Sequence, residues 1–212
     1  MKQVVHLYRS LFVIGLMQCC ALFEVNGQAL TDTLQDKDGN IYIIKTMPDS
    51  KQWMTTNLNV QIPESYCYEN SVQKCKEYGR LYTWKSAQEG CKVLGDGWRL
   101  PTNDDWQQMA RQYGGVFGDS RDSGKSAYTA LLYAGKAEFN ALLGGGRGPG
   151  DDSYARINAH GFYWTATEND TSTAYFYNFA KGSGKLFIQT DGEKNRAFSV
   201  RCIKDAGSLK KR

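Results

Sequence analysis

The chain has 212 residues, 41% hydrophobic and 13% aromatic, which is enough apolar material to close a single hydrophobic core. Its 26 Lys and Arg against 22 Asp and Glu give a formal charge of +4, and three of the positive charges, Lys210, Lys211 and Arg212, stand at the last three positions. A body this close to neutral lacks the basic footprint of a nucleic-acid binder.

The first segment reads as a secretory signal. Lys2 and Arg9 supply a basic start, an apolar stretch runs from Leu11 to Phe23, and a short polar patch follows from Glu24 to Gln28. Val25 and Gly27 suit the positions before a scissile bond, so cleavage is expected after Gly27, with Gln28 as the new amino terminus. Lipid attachment at Cys19 is the rival reading; Leu16 fits it, but Gln18 stands where a small residue is wanted and apolar chain follows. The stretch is shorter than the roughly 20 residues of a membrane span. A secreted or cell-surface protein without a transmembrane segment in its mature form is the expectation. Residues 28–205 read as one domain and 206–212 as a disordered basic tail.

Gln35 to Asn40 reads as a turn, Ile41 to Lys45 as a strand, Met47 to Ser50 as a second turn and Gln52 to Met54 as a second strand, an opening hairpin. A calcium loop starting at Asp36 would need its last acidic ligand where Met47 stands. Four cysteines follow the leader: Cys67, Cys75, Cys91 and Cys202. An even number in an exported chain implies disulfides, with three possible pairings. Cys67 and Cys75 share a loop-like stretch, so a local clip is the simplest choice and leaves Cys91 with Cys202. No two are spaced as in thiolate zinc sites, and His160 is the only histidine after the leader, so no metal or cofactor is expected.

Trp84, Ala87, Cys91 and Leu94 recur at helical spacing and end at Gly95-Asp96-Gly97. Thr102 and Asp105 form a capping box before a second helix whose apolar face is Trp106, Met109, Ala110 and Tyr113. Asp104 and Asp105 therefore serve a helix amino terminus. From Gly114 to Gly161 periodicity fades apart from Tyr128 to Ala134 and Phe139 to Leu143, and Gly144 to Asp152 reads as no regular element. Such a stretch is a binding loop or a mobile one. Phe162 to Thr167, Ala174 to Phe179, Leu186 to Thr190 and Arg196 to Ile203 read as antiparallel strands of a meander, the last turning Phe198, Val200 and Cys202 inward.

Several ordered motifs together resemble the Fibrobacter succinogenes major paralogous domain. They are Asp38-Gly39-Asn40-Ile41-Tyr42, Gln52-Trp53-Met54 with Asn57-Leu58, Tyr78-Gly79-Arg80-Leu81-Tyr82-Thr83-Trp84 after Cys75, Gly97-Trp98-Arg99-Leu100-Pro101-Thr102, Phe139-Asn140-Ala141-Leu142, Gly161 to Glu168 and Ser199-Val200-Arg201-Cys202. The resemblance implies an α+β, C-type-lectin-like fold: two helices on small antiparallel sheets with a long Gly-rich loop region. It also implies that Cys91 and Cys202 form that fold's helix-to-strand disulfide. The family occurs in secreted and cell-surface proteins of Fibrobacter and Bacteroidetes, and its molecular role is largely undefined. The Glu-Pro-Asn, Gln-Pro-Asp and Trp-Asn-Asp triplets of calcium-dependent lectins are missing here, so calcium-dependent sugar binding is not carried over.

The function expected is a non-enzymatic, calcium-independent binding module for a glycan or a cell-surface protein. Candidate ligand residues are Asp151, Asp152, Tyr154 and Arg156 in the Gly-rich region, Glu168, Asn169 and Asp170 at a strand end, and Tyr175, which with Tyr177 alternates with Phe176 along one strand. The blander readings are a turn for Glu168 to Asp170 and a core role for the aromatics. An envelope or adhesive component without a small ligand is the alternative. An oxidase like the formylglycine-generating enzymes, which share a related fold and use redox cysteines, is a further one, and two structural bridges explain the cysteines better.

Overall fold

The computed structural model describes residues 32–95, 97–150 and 153–205. The leader with Cys19, the acidic pair Asp151 and Asp152, and the basic tail lie outside the described residues. The opening hairpin forms as expected from β2 (Ile41–Thr46) and β3 (Lys51–Met54). It gains an outer strand, β1 (Asp32–Gln35), antiparallel to β2. The turn between β1 and β2 is built on Asp36, whose carboxylate accepts the N–H of Asp38 and of Asn40, the Asn40 side-chain amide and the Tyr42 hydroxyl.

A two-residue strand, β4 (Ser65–Tyr66), pairs with β5 (Leu81–Tyr82), and between them lie a 3-10 turn at Tyr68–Asn70 and helix α1 (Val72–Tyr78). The Cys67–Cys75 bridge ties the start of this excursion to α1. The stretch read from sequence as loop is thus partly helical: Ser71 caps α1 through the Lys74 N–H. Helix α2 (Trp84–Lys92) is capped by Thr83, and α3 (Asn103–Arg111) by the Thr102–Asp105 box. A further helix, α4 (Lys125–Leu131), starts at Gly124 and buries Ala127, Tyr128, Ala130 and Leu131.

Two further expectations need correction. Gly144 to Arg147 form a strand, β6, inserted between β7 (Tyr154–Ile157) and β8 (His160–Glu168). Glycine is required there because the backbone lies against other groups: a Cβ on Gly146 would stand 2.9 Å from the Phe198 ring, and one on Gly145, at φ +65°, 2.4 Å from the Ala155 carbonyl. The meander is real for β8, β9 (Thr173–Ala180) and β10 (Lys185–Glu193). The fourth segment leaves it: residues 197–199 make only isolated bridges to β5, β6 and β8, and β11 (Ile203–Asp205) pairs with β3. The architecture is α+β, with a four-stranded sheet ordered β1-β2-β3-β11 and a five-stranded one ordered β10-β9-β8-β6-β7, in which β6 and β8 run parallel.

The larger sheet separates two apolar clusters. Tyr163, Tyr177 and Phe179 point to one side, against Trp53, Trp106, Met109, Leu131 and Phe139. Trp164, Ala174 and Phe176 point to the other, with Met54, Leu58, Tyr82, Cys91, Trp98, Phe198, Val200 and Cys202. Alternation therefore buries both Phe176 and Tyr177, since both faces are covered at that point. Cys91 on α2 and Cys202 beside β11 are fully buried and bonded to one another.

Candidate functional site

Part of the second face of the larger sheet carries a cleft of about 800 Å³, lined by residues of β6, β7, β8, β9 and β10. Its floor is aromatic: Phe162, Phe176 and Phe198 meet at ring-centroid distances of 4.9–5.9 Å. Gly146 and Gly192 keep the floor flat, because a Cβ on Gly192 would come within 2.7 Å of both Trp164 and Phe176.

One wall is a polar row that crosses four strands. Arg156 on β7 points Nη1 at His160 Nε2, 3.4 Å away; His160 Nδ1 lies 2.9 Å from Asn178 Oδ1 on β9; Asn178 Nδ2 donates to Gln189 Oε1 on β10 at 2.7 Å. This network assigns the histidine proton to Nδ1, which faces an acceptor, and leaves Nε2 to accept from Arg156. The imidazole also stacks on Phe162 at 5.4 Å. Strand alternation explains the row: His160 and Phe162, and Phe176 and Asn178, each lie two residues apart and so share the cleft face. At the other end stand Thr173, Asp191 and Glu193, with Glu193 paired to Arg196 at 3.2 Å. Arg147 closes the third side, its guanidinium 4.2 Å above the Tyr66 ring.

Of the residues expected to bind, Arg156 lines this cleft. Tyr154 lies two residues before it in sequence but packs its ring on Tyr68 and donates its hydroxyl to Asn70. Asp151 and Asp152 fall outside the described residues, in the connection between β6 and β7. Glu168 ends β8 and pairs with Lys194 at 3.3 Å. Asn169 and Asp170 form the turn into β9, where the Asp170 carboxylate accepts the N–H and hydroxyl of both Ser172 and Thr173. Those bonds, led by the Thr173 hydroxyl, hold the Asp170 carboxyl well below the ordinary carboxylate range. Tyr175 is half-buried on the sheet face opposite Phe176. The structure thus brings Arg156 together with His160, Asn178, Gln189, Asp191 and Glu193, and leaves the other described candidates apart from them.

Among the described residues no three His, Cys, Asp or Glu side chains are placed to hold a metal ion, and no helix is long and apolar enough to cross a membrane. The four cysteines described are all in disulfides.

A search of curated proteins finds no match to this chain. The family model of the Fibrobacter succinogenes major domain matches residues 45–204, a span that takes in both disulfides and every residue lining the cleft. The chain therefore belongs to the Fibrobacter succinogenes major domain family.

Proposed function

We propose that this protein is an exported, non-enzymatic binding module, and that the cleft on the larger sheet takes a glycan. The observation that carries the reading is the pairing of an aromatic floor with a fixed row of guanidinium, imidazole and amide groups. A pyranose has apolar faces that lie flat on rings and an equator of hydroxyls that both donate and accept. A concave site with an apolar base and a few convergent polar groups meets both needs. Two disulfides fit an oxidising compartment and support export. A C-type-lectin-like scaffold is supported by the bond from α2 to the closing segment through Cys91 and Cys202.

The binding is calcium-independent in this reading, because the acidic turn after β8 spends the oxygens of Asp170 on its own backbone and hydroxyls. Oxidase chemistry would need free thiols, which Cys67, Cys75, Cys91 and Cys202 do not offer. A second reading, assembly with another protein, is favoured by Ile41, Ile43 and Tyr133, which are 64%, 40% and 68% exposed around a separate hollow.

A glycan array probed with the purified protein, with and without a chelator, tests the proposal. Binding that survives chelation and weakens at least about tenfold, or ~1.4 kcal/mol, in Phe162→Ala and Asn178→Ala is expected. Silence across the array, with both bridges intact, overturns it.

A further inference from the structure

We infer that the cleft selects acidic sugars, with the ligand's carboxylate seated at the Arg156–His160 end; this rests on the glycan reading above and adds the ligand's charge. Arg156 is exposed and, among the described residues, has no acidic partner; its polar contact is His160 Nε2 at 3.4 Å. His160 Nδ1 lies 2.9 Å from the acceptor Asn178 Oδ1, and the other ring nitrogen, Nε2, faces the Arg156 N–H as an acceptor. An imidazole nitrogen that accepts orients a guanidinium, whereas a carboxylate would also cancel its charge. The other cations of the cleft are engaged differently: Arg196 is paired with Glu193, and Arg147 lies over the Tyr66 ring.

The backbone supports the same assignment. Arg156 sits at φ +69°, a left-handed conformation uncommon for a residue with a side chain. In a regular strand Ala155 and Arg156 would face opposite ways, yet both line the cleft. The left-handed residue breaks the alternation and turns the arginine over the opening. Gly145 accommodates it from the neighbouring strand with its own φ of +65°. A backbone of this kind persists where the surrounding structure enforces it.

Charge is also distributed along the cleft. His160 pairs with Ala180 at one end of β9, whereas Glu193 pairs with Thr173 at the other. At roughly 3.3 Å per residue the two ends are on the order of 20 Å apart. A ligand carboxylate is drawn to the arginine end and repelled from the Asp191–Glu193 end, where carboxylates accept sugar hydroxyls instead. Arginine suits this task because its planar fork matches a carboxylate with two parallel hydrogen bonds.

The test compares uronic-acid oligosaccharides with their methyl esters, which keep the ring and hydroxyls and remove the charge. Titration calorimetry of the full protein is expected to give at least a tenfold preference for the acid, shrinking as salt is raised. Arg156→Gln should bring acid and ester to within about twofold of one another, and Arg156→Lys should retain part of the preference. Equal binding of acid and ester by the unaltered protein overturns the acidic-sugar inference while the glycan reading stands. Failure of both to bind, alongside silence on the array, overturns both.

Discussion

Two buried charges tie separate stretches of the chain together. Arg201 is 1% exposed and donates to the carbonyls of Met54, Phe139 and Asn140 and to Asn57 Oδ1, with its guanidinium 4.7 Å from the Phe139 ring. Burial pulls it down to about 10, which still leaves it charged at neutral pH. Replacing it with Met strands those carbonyls in the core, so Arg201→Met should cost at least about 3 kcal/mol in urea denaturation. Asp105 caps α3 and is held by Arg99 and Lys51. Burial pushes its carboxyl up, but the hydrogen bonds from Arg99 and Thr102 outweigh burial and hold it at about 2, below the ordinary 3.8. A depressed carboxyl stabilises the fold above its unfolded value and loses that contribution as the pH falls from about 5 towards 2. Asp105→Asn should therefore cost about 2 kcal/mol at pH 7, with the gap to the unaltered protein narrowing across that window. A gap independent of pH would mean that the charge of Asp105 is not what matters.

At the scale of elements, legibility followed local signals. The hairpin turn, the Thr102–Asp105 box and the helical spacing of Trp84, Ala87 and Cys91 depend on residues a few positions apart, and each element formed where its residues indicate. Strand β6 was illegible because its stability comes from outside it: Gly144, Gly145 and Gly146 carry no side chain that favours a strand, and they extend because β7, β8 and Phe198 flank them. Helix α4 was hidden for a similar reason, lying in a Gly-rich stretch with a glycine at its cap. Of the cleft, sequence exposed Arg156 alone. His160, Asn178 and Gln189 are scattered over three strands, and only the cross-strand register joins them; a slip of one residue would turn each to the opposite face. The two bridges differ in what they hold. Loop closure over 8 residues is worth about 2.5 kcal/mol in the chain-entropy model, and over 111 residues about 5 kcal/mol. Replacing Cys91 and Cys202 by Ala should thus lower stability about twice as much as replacing Cys67 and Cys75, as read from denaturation midpoints. Equal losses would show that strain or unfolded-state structure, not loop length, sets the difference.

For the whole molecule, the two sides of the larger sheet have different work. One is packed against α3, α4 and the Trp53–Trp106–Phe139 aromatic cluster and holds the fold. The other is covered by the first half of the chain near Trp164 and left open near Phe162 and Asn178, which creates the cleft. Family membership accounts for the shared framework, and the side chains around that opening carry the proposed specificity. The most direct test is a ¹H–¹⁵N NMR titration with a uronic-acid oligosaccharide retained on the array. The account predicts shifts concentrated at the Asn178 and Gln189 side-chain amides, at Arg156 and at Gly146 and Gly192. Shifts gathered around Tyr133, Ile41 and Ile43 instead, with the cleft unmoved, would contradict it.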